Sequence, residues 1–154
     1  MIKVKLDDVI EQLEFASDSN KSFINKRTGV IHLIPDELEI YTETNIEEDD
    51  LIPDWEKEII LVLRDINQNP ENYIPIPDKF YINEYAIMKR FCLSIKNEKL
   101  REEMYSSIKG SGAFQRFKNN ILHFNIANDW YKFKEDALRE IAVEWCEENS
   151  IEYF

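Results

Sequence analysis

The chain has 154 residues, a formal net charge of -12 and a hydrophobic content of 44%. This length fits one domain that buries a core without disulfides or a structural metal. The strong negative charge disfavours binding of nucleic acid or anionic membranes by the molecule as a whole, while leaving room for a local basic patch. Only three Gly and five Pro are present, which favours long helices over a turn-rich all-β fold.

The first segments of the chain predict a helix followed by a β-hairpin. Apolar residues recur at helical spacing in residues 6–13, with acidic residues in the first turn. Two β-prone runs flank residues 25–29, where Asn opens a turn and Gly29 can take a left-handed conformation. A third short strand is predicted near residues 38–41.

A long acidic stretch follows the hairpin. Residues 36–58 contain eleven acidic side chains and one basic side chain. We interpret most of them as a solvated surface and predict that residues 42–50 form a mobile loop.

The next helix lies between Pro53 and Pro70. Its predicted apolar face consists of Trp55, Ile59, Leu63 and Ile66. The following segment, residues 73–77, must be extended, because a residue that precedes proline is excluded from the α region. It is predicted to form a short edge strand beside the hairpin.

The remainder of the chain, from Asp78 onward, predicts about four helices with breaks near residues 97, 110–112 and 125–128. The predicted fold is therefore α+β and helix-dominated. A small N-terminal antiparallel hairpin or sheet (residues 1–77) packs on a C-terminal helical bundle (residues 78–154). We expect residues 1–154 to form a single domain.

Several chemistries lack the residues that they need. Cys92 and Cys146 are interpreted as buried, reduced thiols, and the scattered His32 and His123 do not complete a metal-ligand set. No metal and no cofactor are therefore expected. The N-terminus lacks the apolar core of a signal peptide, and no apolar run is long enough for a membrane span, so a cytoplasmic location away from membranes is expected.

A glycine-rich segment is the most unusual local feature. It is neither a P-loop nor a dinucleotide-binding fingerprint, and no catalytic residue is assigned. The candidate binding residues within it are Lys109, Gly110, Ser111, Gly112, Arg116 and Lys118. The surrounding window, residues 96–118, contains six basic and three acidic residues, unlike the rest of the chain.

Two interpretations of this segment remain open. In the first, exposed backbone N–H groups at a helix N-terminus bind an anion, with Arg116 and Lys118 adding charge-assisted contacts. In the second, the segment is a tight helix corner, with Gly110 ending one helix and Ser111 capping the next. Trp130 and Tyr131 form a second aromatic cluster that serves either core packing or ligand binding.

Five segments of the chain form a distinctive series, and the most specific of them contains Gly-x-Gly-Ala-Phe-x-Arg-Phe-Lys; they are residues 74–77, 82–88, 110–118, 130–131 and 142–146. In these segments the chain resembles the bacterial uncharacterised protein family 0158. The resemblance implies a small bacterial cytoplasmic protein and assigns no activity.

The leading functional hypothesis is a non-catalytic interaction or regulatory module whose partner is another protein. Three alternatives remain open. They are a nucleic-acid or phosphate binder that uses residues 96–118, an enzyme with an unrecognised site, and an acidic mimic of nucleic acid.

Overall fold

A computed structural model describes residues 2–41 and 52–154. The mobile loop predicted at residues 42–50 lies outside these described residues. The fold is α+β and helix-dominated, as the sequence predicts. The α-helices of the described residues are α1 (Leu6–Glu14), α2 (Asp54–Gln68), α3 (Lys79–Ile82), α4 (Glu84–Ser94), α5 (Glu98–Ser107), α6 (Ala113–His123) and α7 (Ala127–Glu148).

The strands found in residues 2–41 and 52–154 form two small sheets. They are β1 (Lys3–Val4), β2 (Asn20–Asn25), β3 (Ile31–Pro35), β4 (Tyr73–Pro75) and β5 (Glu152–Tyr153). The larger sheet is antiparallel with the order β3-β2-β4, and the smaller sheet is the parallel pair β1-β5. Periodicity did not predict the parallel pair, because two-residue strands carry no pattern of their own.

The hairpin and the edge strand are confirmed. The Asn25 side chain accepts a hydrogen bond from the backbone N–H of Arg27 at 2.8 Å, and Gly29 adopts a φ of 73°. These are the turn roles predicted for the two residues. Strand β4 pairs with β2 in the register Ile24↔Ile74, so the proline-rich segment lies at the edge of the sheet.

The strand predicted near residues 38–41 is wrong, because Asp36–Tyr41 forms a 3₁₀ helix. A strand would place Leu38 and Ile40 on the same face, whereas Leu38 is buried and Ile40 is 75% exposed. The helical spacing instead brings Leu38 and Tyr41 to a common cluster with Ile60.

Helix α2 is confirmed, but its buried face is rotated from the predicted one. Ile60, Leu63 and Ile66 are buried, whereas Trp55 is 60% exposed. Leu63 and Ile66 pack with Ile34 of β3 and Tyr73 of β4, so this face of the helix covers the antiparallel sheet. The prediction failed at Trp55 because apolar spacing alone does not show which of two overlapping stripes faces the sheet.

The chain divides into two compact units. One comprises Met1–Tyr81 and Ile141–Phe154, and the other comprises Ile82–Glu140. The core of the second unit is aromatic: the ring of Phe117 lies 4.7 Å from Trp130 and 6.1 Å from Phe91, in edge-to-face geometry. That residues 1–154 act as a single domain, divided near residue 77, stays a prediction.

None of the helices in residues 2–41 and 52–154 is both long and apolar enough to cross a membrane.

Candidate binding site

The glycine-rich segment forms the connection between α5 and α6. Gly110 and Gly112 have φ values of 79° and 80°, a left-handed conformation that favours glycine. Gly112 occupies the N-cap position of α6 and provides no side-chain cap. The prediction that Ser111 caps this helix is therefore wrong, because the chain enters the helix one residue later.

Arg116 closes this connection by bonding to its backbone. The guanidinium donates from Nε to the carbonyl oxygen of Ser107 and from Nη2 to that of Lys109, each at 2.7 Å. It also donates from Nη1 to the carbonyl oxygen of Ser111. Ser107 is the last residue of α5, so the bond from Nε satisfies a carbonyl group that the helix end leaves without an intrahelical partner. The other two bonds go to carbonyl groups of the connection itself. The planar guanidinium is thus committed to the backbone of the corner.

Other charged side chains also lie near the corner. The Lys109 ammonium lies 4.9 Å from the centre of the Tyr105 ring, in cation–π geometry. Glu102 and Glu103 line an open depression together with Arg116. Carboxylates at this position oppose an anionic ligand.

The remaining candidate residues are placed as follows. Trp130 is 5% exposed and packs in the aromatic core, whereas the adjacent Tyr131 is 58% exposed. Lys118 is exposed on α6. The structure thus brings Lys109, Ser111 and Arg116 together, while no described contact joins Lys118 or Tyr131 to them. Their assignment as a binding site stays a prediction.

A polar cluster in the first unit joins α2 to β4. The Tyr73 hydroxyl donates to the Asp65 carboxylate at 2.5 Å, and the Asn69 amide donates to the same carboxylate at 2.8 Å. These bonds, the one from Tyr73 first, lower the pKa of Asp65. Burial and the bond to Asp65 raise the pKa of Tyr73. Both pKa values move away from neutrality, so the pair suits a structural tether better than acid–base catalysis.

Burial also shifts the pKa values of one histidine and both cysteines. Partial burial lowers the pKa of His32, whose ring lies 6.3 Å from Tyr73. Burial raises the pKa of both Cys92 and Cys146 to about 11, which suppresses the nucleophilic thiolate. Across residues 2–41 and 52–154, no group of three or more His, Cys, Asp or Glu side chains is arranged to hold a metal ion.

The first unit contains an apolar groove that the sequence did not predict, with a volume of about 570 Å³. We call it the proline groove, and its lining residues are Ile74, Pro75, Ile76, Pro77, Asp78, Phe80, Tyr81, Trp145, Glu148 and Asn149. This volume falls within the range of ligand-binding pockets.

Local bonds hold the walls of the proline groove. The indole N–H of Trp145 donates to the carbonyl oxygen of Pro75 at 3.0 Å. Asn149 donates in turn to the carbonyl oxygen of Trp145 at 2.8 Å. The Asp78 carboxylate accepts from the backbone N–H of Tyr81 at 2.9 Å, which caps the short helix α3. These bonds fix the proline-rich strand against the end of α7.

The edge of β4 is closed to a further strand. The backbone N–H of Tyr73 donates to the carbonyl oxygen of Pro70, and Pro75 has no N–H group. The carbonyl oxygen of Pro75 already accepts from Trp145. A partner at this place therefore contacts side chains and does not extend the sheet.

Two aromatic side chains of α3 stand open at the proline groove. Phe80 is 95% exposed and Tyr81 is 53% exposed. Helix α3 has only four residues, too few to bury both rings. The signal available from sequence was the Phe-Tyr pair three residues after Pro77, but the groove also needs Trp145, which lies more than sixty residues away in the chain. Local pattern analysis could not join the two segments.

Comparison with known proteins identifies the family. Residues 1–154 match the uncharacterised protein family UPF0158, so the chain belongs to that family and the resemblance inferred from sequence is confirmed. The UPF0158 protein PA5073 of Pseudomonas aeruginosa is 22% identical over 144 residues, which span 93% of this chain and 83% of that protein. No solved structure matches the chain. The family has no assigned activity.

Proposed function

We propose that this protein is a non-catalytic protein-interaction module and that a partner protein docks at the proline groove. The observation that carries the proposal is the near-complete exposure of Phe80, at 95%, beside an apolar groove of about 570 Å³. Covering an exposed phenylalanine with a partner is favourable, because it removes apolar surface from water. Aromatic side chains next to a pocket are typical anchors of protein interfaces.

The size of the groove indicates what the partner contributes. A volume of about 570 Å³ accommodates a few side chains, so we propose that a short segment of the partner enters it. We also propose a cytoplasmic setting for the complex, because Cys92 and Cys146 are both free and buried, as is usual in a reducing compartment.

Copurification with matched variants tests the proposal. A tagged protein would be expressed in a bacterial host that carries a UPF0158 protein, and its stoichiometric partner identified with and without nuclease treatment. Phe80→Ser should lose that partner. The control is Leu122→Ser on α6, where the side chain is 68% exposed. It is matched because both substitutions remove an exposed apolar side chain, and it should retain the partner because Leu122 does not line the proline groove.

Two outcomes would contradict the proposal. If Phe80→Ser and Leu122→Ser retain the partner equally, the proline groove is not the docking site. If nuclease treatment releases every copurifying protein, the retained molecule is nucleic acid and the basic window at residues 96–118 becomes the leading candidate.

A further inference from the structure

We propose that the proline groove receives a partner segment in which apolar side chains are flanked by lysine or arginine. This inference rests on the proposed function of the groove and adds the chemistry of the segment. Apolar side chains fill the groove, while the flanking cations meet carboxylates at its margin.

The apolar residues of the groove are the reason why the partner segment needs apolar side chains. Ile74, Ile76 and Trp145 are at most 8% exposed and form its floor, and the ring of Phe80 stands open above them. Trp145 has its N–H bonded to Pro75, so its ring offers a partner only apolar surface and a π face. Burial of aliphatic or aromatic side chains is the interaction that these groups favour.

The charges around the groove are the reason why the partner segment needs flanking lysine or arginine. Of the described residues, those that line the groove include the carboxylates of Asp78 and Glu148 and no basic side chain. The neighbouring Lys79 lies 3.6 Å from the carboxylate of Asp18, which already balances its charge. The local field therefore attracts a cation and repels an anion.

The glutamates near the C-terminus of α7 also favour a cationic partner, because negative charge is unfavourable at that end of a helix. Carboxylates oppose the dipole at a helix C-terminus, and the last turn of α7 contains no basic residue. Glu147 accepts from the Tyr153 hydroxyl at 3.2 Å. The carboxylates of Glu144 and Glu148 make no hydrogen bond or ion pair with the described residues, and both residues are exposed, so a bound cation would give the carboxylates a partner.

The pKa of Tyr81, a residue that lines the groove, reflects the negative charges of Glu144 and Glu148. The negative charge of Glu148 first, then burial, then the charge of Glu144 raise the pKa of the Tyr81 hydroxyl. A lysine or arginine placed beside this ring would meet the same field. Its aliphatic stem would cover the aromatic surface while its charged end reached the carboxylates.

A panel of synthetic peptides tests the inference on the full chain. The peptides have central Leu, Ile, Phe or Trp pairs, flanked on both sides by paired Lys, paired Ser or paired Glu. Binding of the fluorescently labelled peptides would be measured by anisotropy at low and at physiological salt. We expect Lys-flanked peptides to bind about tenfold more tightly than Ser-flanked peptides, and this difference to shrink with salt.

Matched variants locate the effect. Glu144→Gln with Glu148→Gln should weaken the Lys-flanked peptides about fivefold or more, since two favourable charge pairs are lost. The fold is not at risk, because both changes remove charges that oppose the helix dipole. The control, Glu102→Gln with Glu103→Gln on α5, removes the same number of negative charges and should leave binding within about twofold.

Other results would overturn the inference. Equal binding of the three flanking types, or tighter binding of the Glu-flanked peptides, excludes a role for the carboxylates. Equal weakening by both double variants assigns the effect to net charge. If no peptide binds while Phe80→Ser still abolishes copurification, the inference fails and the proposed function stands. If Phe80→Ser has no effect on copurification, the proposed function itself fails.

Discussion

The indole N–H of Trp145 donates a hydrogen bond to the carbonyl oxygen of Pro75 at 3.0 Å. The two residues are seventy positions apart, so one bond joins the end of α7 to the proline-rich edge strand. Both residues line the proline groove. The bond therefore holds the groove in shape and also uses the carbonyl oxygen that a further strand would need.

The first prediction concerns this bond. Trp145→Phe keeps an aromatic ring and removes the donor, so the free energy of unfolding should fall by about 1 kcal/mol or more. Trp55→Phe is the matched control, because Trp55 is 60% exposed, and it should change stability by less than about 0.5 kcal/mol. Urea denaturation followed by circular dichroism measures both. Equal losses in the two variants would show that the bond does not stabilise the fold.

The second prediction concerns Arg116. Arg116→Ala removes the donors to Ser107, Lys109 and Ser111. Charged hydrogen bonds typically contribute about 1.5–3 kcal/mol, and we expect a loss of stability within that range. Arg116→Lys should not restore it, because an ammonium cannot reproduce the planar fork. The control Lys118→Ala should stay within about 0.5 kcal/mol. Unchanged stability in Arg116→Ala would leave the guanidinium available for an anion.

The third prediction separates two phenylalanines of α6. Phe117 is buried against Trp130, and Phe117→Ala should lower the unfolding free energy by about 3–5 kcal/mol. Phe114 is 48% exposed, and Phe114→Ala should cost clearly less. Denaturant titrations of the two variants give the comparison. A larger loss at Phe114 would place the core on the other face of the helix.

The fourth prediction is a pH dependence at Asp65 and Tyr73. The depressed pKa of Asp65 contributes stability that is present above its ordinary value of 3.8 and is lost as the pH falls through the folded value. The raised pKa of Tyr73 contributes stability below its ordinary value of 10.0 that is lost at higher pH. Tyr73→Phe removes the bond, so the difference in unfolding free energy from wild type should be greatest at neutral pH and shrink in acid. A difference that stays constant from neutral pH into acid would contradict this.

The fifth prediction concerns the two thiols. With a pKa of about 11, Cys92 and Cys146 are almost entirely protonated at mildly alkaline pH, and both are buried. Iodoacetamide should therefore label neither residue in the native protein and both in denaturant. Mass spectrometry of the labelled peptides reports each site. Labelling of the native protein at the rate of a free thiol would show that the burial is wrong.

Features defined by neighbouring residues could be predicted from the sequence. The turn at Asn25 and Gly29, the extended segment before Pro77 and the helix break at Asn97 all depend on local backbone chemistry. Because these signals are short-range, the corresponding elements were found close to their predicted positions.

Features that depend on distant residues could not be predicted. Strands β1 and β5 pair across almost the whole chain, with Lys3 opposite Glu152. The proline groove joins Pro75 to Trp145. Arg116 could be recognised as a cation near two glycines, but only the path of the chain shows that backbone carbonyl groups surround its guanidinium. Residue type alone left both an anion site and a helix corner open, and the geometry shows how the guanidinium of Arg116 bonds to the backbone of the corner.

Photo-crosslinking from the groove tests most directly whether a partner docks there. A benzoylphenylalanine placed at position 80 would be irradiated in living cells and compared with the same group at position 122, where Leu122 is also exposed. We expect position 80 to form an adduct with the protein that copurifies with wild type, and position 122 to form none. An adduct with that protein from position 122 and none from position 80 would contradict it.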